Sequence, residues 1–287
     1  MIIVVTGATG SGKSALAVDL AQKIGGEVVN ADAFQVYQEL NIATAKPSLE
    51  QRSIVPHHLF DFVPLTESYD IRRYQADLRK CLDDILSRGK TPIIAGGSGL
   101  YIRAGLYDYS FPESPEVDLS YYQGLDNESL HQELEKLDPI EAGKIHPNNR
   151  VRVLRAIEIY LSNGKSKSEI IANQRHEPIY ECRFFGLSPE RETLYEAVER
   201  RVDSMFEAGL VEENKVLIEK YGRDAHAFQA IGVKELFPYF DGLKTLEECK
   251  DDIKKATRHY VKRQDTFFAH QFAITWISGV DDIIGKL

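Results

Sequence analysis

The sequence predicts an α/β protein in which a parallel β-sheet is covered by helices on both faces and interrupted by a helical insertion. Short apolar runs alternate with amphipathic stretches through the first hundred residues, the pattern turns helical after about Tyr109, and strand-like runs return near residue 181. Residues 2–5 form a continuous apolar run, as expected of a strand buried on both faces. The stretch 15–24 sets Leu16, Leu20 and Ile24 at four-residue spacing, which predicts a helix. Glu27–Asn30 reads as a second strand, and Ile71, Tyr74, Leu78, Leu82 and Ile85 form one stripe of a long helix that Gly89 ends. Residues 91–95 are a third strand. In such sheets ligands gather beyond the carboxyl ends of the strands.

The stretch FPESPEVDLS at 111–120 is turn-rich, and the helices beyond it are broken at Asp138-Pro139, His146-Pro147 and Asn163-Gly164. Residues 181–187 read as a strand returning to the sheet and Ile274–Ile277 as a last one, with long helices between. The expected division is a first core segment at 1–108, a helical insertion domain at 109–178 and a second core segment at 179–287.

The chain of 287 residues is 43% hydrophobic and 28% charged, without repeats or low-complexity tracts, which excludes a disordered or solenoid protein. Its first apolar run is too short to span a bilayer and lacks the basic flank of a signal peptide, so a cytoplasmic protein with no membrane partner is expected; a monomer is the expected state. Three widely separated cysteines, Cys81, Cys182 and Cys249, predict neither a disulfide framework nor a zinc site. His57 and His58 are adjacent, and neighbours on a strand face opposite ways, so structural roles are expected for both. The net charge of -9 does not exclude a nucleic acid, because phosphate affinity follows local charge. Lys254, Lys255, Arg258, His259, Lys262 and Arg263 fall within about three helical turns and form a candidate basic face.

One motif fixes the ligand class. GATGSGKS at 7–14 satisfies G-x-x-x-x-G-K-[ST] and lies between a strand and a helix, the context a phosphate-binding loop needs. The predicted fold class is therefore α/β with a P-loop NTPase-like parallel sheet core and a helical insertion domain. In such a loop Gly7, Ala8, Thr9, Gly10, Ser11 and Gly12 wrap backbone amides around linked phosphates, Lys13 supplies a mobile charge, and Ser14 offers a ligand for Mg2+. Many relatives of this loop place an acid after a neighbouring apolar strand. Here the third strand runs instead into Gly96, Gly97, Ser98 and Gly99, so Ser98 presents a hydroxyl on a loop whose glycines are expected to admit a ligand closely. The acid in the expected crevice is Asp32, just past the second strand and beside the P-loop in a doubly wound sheet. It is the candidate general base, the alternative being a cap on the following turn.

Taken together, GATGSGKS, NADAFQVY at 30–37, ATAKP at 43–47, PHHLFD at 56–61 and AGGSGLY at 95–101 resemble the tRNA dimethylallyltransferase family. HPNNRVRVLRAIE at 146–158, RRVDSMFEAGLVEE at 200–213, QAIGVKE at 229–235 and ATRHYVKRQDTFF at 256–268 look like its later blocks in the same order. The resemblance implies transfer of a dimethylallyl group from dimethylallyl diphosphate to N6 of adenosine 37, in the anticodon stem-loop of tRNAs reading codons that begin with U. It implies catalytic roles for Asp32 as base, for Lys13 and Arg201 on the diphosphate, and for Ser98 where the family usually has Thr. It further implies tRNA contacts by Asp32, Ala33, Phe34, Gln35, Val151, Arg152, Arg155, Gly232, Lys234, Lys262 and Arg263, with the target adenosine flipped into a channel between core and insertion. The helix bearing Arg152 and Arg155 has an expected apolar stripe of Val151, Leu154 and Ile157. Tyr101, Tyr121 and Tyr122 are expected in the core rather than on a ligand.

Some positions depart from the family pattern. Ala8, Gly10, Ala33, Ala43 and Val233 replace common Pro, Ala, Ser, Gly and Tyr, and Ala269 stands where an arginine is frequent. Three other readings stay open at this level: a small-molecule kinase, prenyl transfer to free adenine nucleotides, and a nucleotide-binding switch.

Overall fold

The computed structural model describes residues 1–111 and 115–287; of the turn-rich stretch, Pro112, Glu113 and Ser114 lie outside the described residues. The chain forms two compact units, Met1–Leu106 with Pro178–Leu287, and Tyr107–Glu177. In chain order the first unit begins with β1 (Ile2–Gly7), α1 (Lys13–Ile24), β2 (Glu27–Asn30), α2 (Leu49–Ile54), β3 (His57–His58), α3 (Ile71–Ser87), β4 (Pro92–Ala95) and α4 (Gly99–Leu106). The second unit holds α5 (Ser120–Gln123), α6 (Asn127–Leu137), α7 (Pro139–Ala142), α8 (Arg150–Asn163) and α9 (Lys167–Ala172). The first unit resumes with β5 (Cys182–Leu187), α10 (Arg191–Glu207), α11 (Leu210–Tyr221), α12 (Phe237–Phe240), α13 (Leu246–Gln271), β6 (Ile274–Ile277) and α14 (Val280–Ile284).

All six strands pair in parallel, in the order β3-β2-β4-β1-β5-β6. This is the α/β sheet expected from the apolar runs, with one strand, β3, too short to show as a run of its own. The order corrects one expectation: β4 lies between β1 and β2, so Asp32 is one strand removed from the P-loop rather than beside it. The long α3 carries the chain from the β2 side to β4, which pairs with both β1 and β2.

Burial follows the patterning. On one face Ile3, Val5, Val28, Ile93 and Phe185 pack with Ala17, Leu20 and Ala21 of α1 and Val280 and Ile283 of α14. Asp70 caps α3 through Arg73 N–H (2.9 Å), and Tyr74, Leu78, Leu82 and Ile85 form its buried stripe. Thr245 and Glu248 box the start of α13, whose buried face runs Cys249, Ile253, Thr257, Val261, Gln264 and Phe268. Tyr101 packs at a tilt on buried Tyr74 with centroids 4.5 Å apart, whereas Tyr121 is exposed and only half of the pair Tyr121-Tyr122 joins a core.

In the second unit Leu130 and Leu134 of α6 pack on Val153, Ala156 and Ile157 of α8. The expected stripe through Val151 is therefore rotated: Val151 is 79% exposed in the first turn, because the residues that meet α6 start at Val153. Arg150 donates to the carbonyls of Leu125 (2.8 Å) and Gln123 (2.6 Å), closing the end of α5.

The two histidines serve the sheet edge. His57 Nδ1 donates to Val55 O at 2.8 Å, and His58 Nε2 donates to the buried Glu27 carboxylate at 2.7 Å. Arg88 grips the same carboxylate, and its hydrogen bonds hold Glu27 down from 4.5 to about 2, with His58 adding to the effect. A depressed folded-state pKa stabilises above the unfolded value and loses that contribution as pH falls from about 4.5 toward 2. Thermal melts at pH 7 and pH 3 are expected to show a larger drop for the parent chain than for Glu27→Gln, which starts lower; equal drops would remove Glu27 from the acid response.

Candidate active site

The phosphate-binding loop opens at the end of β1. Gly12 takes φ +88, and a Cβ there would strain the backbone just where the amides of α1 turn outward. The back of the loop is apolar: Ala8 packs on Leu194 and Val198 of α10 and Val261 of α13. Ser11 N–H closes a turn on Ala8 O at 3.2 Å, and Lys13 Nζ donates to the same carbonyl at 3.2 Å. Thr9 N–H is bonded to Gln264 Oε1 at 2.8 Å.

Lys13 and Arg201 of α10 face one cavity of about 400 Å³, with Ser14, Asp32 and Gln35 in the same wall. Among the described residues neither cation has a carboxylate within 4.0 Å. Burial, reinforced by the Arg201 charge and opposed by Asp32, pulls the Lys13 ammonium down to about 8. Burial likewise lowers Arg201, and Asp32 again opposes. Two like charges held against one carboxylate leave a net positive site that an anion would relieve.

Asp32 Oδ1 accepts from Phe34 N–H (2.9 Å) and Gln35 N–H (3.3 Å), so the residue does cap its turn. That cap leaves Oδ2 without a hydrogen-bond partner among the described residues, and Asp32 lines the cavity. The capping role thus orients the carboxylate rather than consuming it. Asn30 supports the turn from behind, accepting Asp32 N–H at 2.9 Å and donating to Leu59 O at 2.9 Å.

Ser98 stands behind Asp32. Its Oγ accepts Ala33 N–H at 3.1 Å and its N–H donates to Ala31 O at 3.0 Å. The surrounding glycines let the protein's own chain approach closely, and Gly96 also lines the first cavity. A Cβ at Gly96 would stand 2.2 Å from Ala31 O, one at Gly97 1.9 Å from Gln264 Nε2, and one at Gly99 2.3 Å from Phe267.

A second cavity of about 210 Å³ shares Thr9, Asp32 and Arg201 with the first and continues past Phe34, Lys234, Tyr260 and Arg263. Asp32 thus lines both cavities. The first also has an apolar lobe of Val18, Val28, Ile54, Phe60 and Ala95, suited to a hydrocarbon group.

The other expected contact residues fall in several places. Phe34 stacks near His226 (6.4 Å, 20°), and Gln35 Nε2 donates to Thr44 O (3.0 Å) and Ala45 O (3.3 Å). Gly232 is buried, its carbonyl accepting from Asn214 and its N–H bonded to Glu235, while Lys234 is exposed. On α13 Lys255, His259 and Lys262 are exposed, and Arg263 lies over the Tyr260 ring at 5.6 Å. Lys254 and Arg258 are not part of a free basic face: they pair with Asp203 (2.8 Å) and Glu199 (2.6 Å) of α10. The four-residue offset that aims them at α10 also brings its acids within reach. In the second unit Arg152 is exposed and Arg155 pairs with Glu158 at 2.7 Å.

Sequence reasoning passed over three residues that organise the site. Glu213 of α11 accepts the N–H groups of Asn41 (2.9 Å), Ile42 (2.9 Å) and Ala43 (3.0 Å), fixing the segment that holds Gln35. Buried Lys46 ties Tyr37 O, Asn41 and Asp61 together. Gln264 bridges two loops. Only Gln264 carried a readable signal, an amide on the apolar stripe of a helix.

An interior parallel strand that runs into a glycine-lysine-serine loop, with two cations and one carboxylate lining a shared cavity, defines an enzyme of P-loop NTPase-like fold. The chain belongs to the IPP transferase family, whose sequence model matches residues 35–271, a span that begins beyond both the loop and Asp32. It is 43% identical to the tRNA dimethylallyltransferase of Anoxybacillus flavithermus over 99% of this chain and 92% of that relative. Its structure is similar to the crystal structure of tRNA delta(2)-isopentenylpyrophosphate transferase from Staphylococcus epidermidis, with a TM-score of 0.74 and 37% identity over 99% of this chain and 97% of that one. A eukaryotic dimethylallyltransferase described as acting on tRNA superposes with a TM-score of 0.82 and 33% identity, over 96% of this chain and 73% of that one. No helix among the described residues is long and apolar enough to cross a membrane.

Proposed function

We propose that the protein transfers a dimethylallyl group from dimethylallyl diphosphate to N6 of adenosine 37 in tRNAs reading codons that begin with U, releasing diphosphate. The observation that carries this reading is the sharing of Asp32 by two cavities, one walled by the phosphate-binding loop and an apolar lobe, the other by Phe34, Tyr260 and basic side chains. The diphosphate would lie on the loop amides with Lys13 and Arg201, and the hydrocarbon in the apolar lobe. The adenine, unstacked from its loop, would enter the second cavity. Nitrogen attacks the allylic carbon, the carbon–oxygen bond to diphosphate breaks, and the N6 proton passes to Asp32.

The oxygen donors present fit Mg2+ bound mainly through phosphate: the exposed Ser14 lines the cavity, and no cluster of three carboxylate, histidine or cysteine ligands occurs among the described residues. Ser14 would hold the ion with diphosphate oxygens and water, and when bound it supplies positive charge to the departing group. Lys234, Lys262 and Arg263 would contact the RNA backbone, as would Arg152 and Arg155 on the helical unit, which we take as the tRNA-facing insertion. We place the reaction in the cytoplasm, carried out by a monomer.

Incubation with Mg2+, labelled dimethylallyl diphosphate and a mixture of unmodified tRNA, ATP and AMP tests the reading. Label is expected in tRNA. Label in AMP or ATP alone overturns the acceptor, and phosphate transfer from ATP overturns the chemistry.

A further inference from the structure

We infer that Gln264 is a positioning residue for the transfer, holding the diphosphate cradle and the Asp32 turn at a fixed separation. The inference rests on the prenyl-transfer reading and starts from an anomaly in the sequence. Every other fourth or third position on this face of α13 is small or apolar, yet Gln264 is 4% exposed. A buried amide is costly unless both of its ends are bonded.

Both are, and to distant segments. Oε1 accepts Thr9 N–H of the phosphate-binding loop at 2.8 Å, and Nε2 donates to Gly97 O after β4 at 3.0 Å. The next residue, Ser98, bonds the backbone on either side of Asp32, through Ala31 O and Ala33 N–H. The Tyr260 hydroxyl faces the side chains of Ser98 and Gln264 and closes the network on the second cavity. One amide therefore links the loop that grips the leaving group to the turn that aims the base, across the strand that separates them. Thr9 N–H is committed to this link and not to phosphate. Gly97 belongs to the same device, because a side chain there would displace Gln264.

Each half-site keeps its own binding groups when the link is cut, so the loss should fall on alignment. A misplacement of about 1 Å can slow a reaction about 10²-fold. Gln264→Ala is expected to lower kcat by at least about tenfold while KM for each substrate stays within about threefold. Gln264→Glu keeps the acceptor for Thr9 but loses the donor to Gly97, and should fall between. Gly97→Ala should reproduce the loss in the parent chain and add little in the Gln264→Ala background, the non-additivity expected of residues in contact. Amide hydrogen exchange at Thr9 should quicken in Gln264→Ala without any substrate present.

A parental kcat in Gln264→Ala, or an equal penalty for Gly97→Ala in both backgrounds, overturns the inference. If Gln264→Ala does not fold, Gln264→Glu carries the test, and full kcat in that variant overturns it. A parent chain that moves no label to tRNA fails the prenyl-transfer reading instead; exchange at Thr9 then decides the link by itself, and unchanged exchange overturns it.

Discussion

Asp32→Asn is expected to reduce single-turnover prenyl transfer by about 10²- to 10⁴-fold, the usual contribution of a positioned base. The choice of Asn matters. Its carbonyl can still accept the N–H groups of Phe34 and Gln35, so the turn that Asp32 caps survives, and only the proton acceptor is removed. Diphosphate binding should be unchanged or slightly tighter, because the variant removes a negative charge that faces Lys13 and Arg201. Titration calorimetry with the donor separates the two effects. Turnover at the parental rate would take Asp32 out of the chemistry, and lost donor binding would show it to be a scaffold for the cradle.

Lys13→Ala should weaken donor binding by roughly 10- to 10²-fold, in line with the roughly 1.5 to 3 kcal/mol of a charge-assisted hydrogen bond. The same residue sets a pH dependence. With its ammonium held at about 8, part of the Lys13 population is neutral in mildly alkaline solution, and an arriving anion favours the charged form. Donor binding should therefore take up protons near pH 8 to 9 and weaken as pH rises through about 8. Calorimetry in two buffers of different ionisation enthalpy measures the uptake, and its loss in Lys13→Ala assigns it. Equal uptake by both chains would place the proton on the donor itself.

Much of the site was legible because its key residues occupy positions that the chain's own grammar marks. The loop from Gly7 to Ser14 announces itself through spacing, and Asp32 follows the short run Glu27–Asn30 that reads as a strand. What periodicity could not show was the order of the strands. A four-residue strand reads the same whether it sits next to β1 or two places away, so the insertion of β4 between the loop and Asp32 was invisible. The glycines after β4 were only partly legible for a related reason. Glycine signals close approach, but not of what, and here the approaching groups are Ala31, Gln264 and Phe267. Lys254 and Arg258 looked like a basic face because their partners, Asp203 and Glu199, are more than fifty residues away in sequence.

The pairing of Lys13 with Arg201 has a consequence beyond catalysis. On the proposed reading, two cations that repel each other would favour the free diphosphate, which carries more charge than its ester. The severed product would then be a rival for its own precursor. How completely an acceptor becomes prenylated would then depend on how quickly the surroundings hydrolyse inorganic diphosphate, tying the modification to phosphate turnover in the cell.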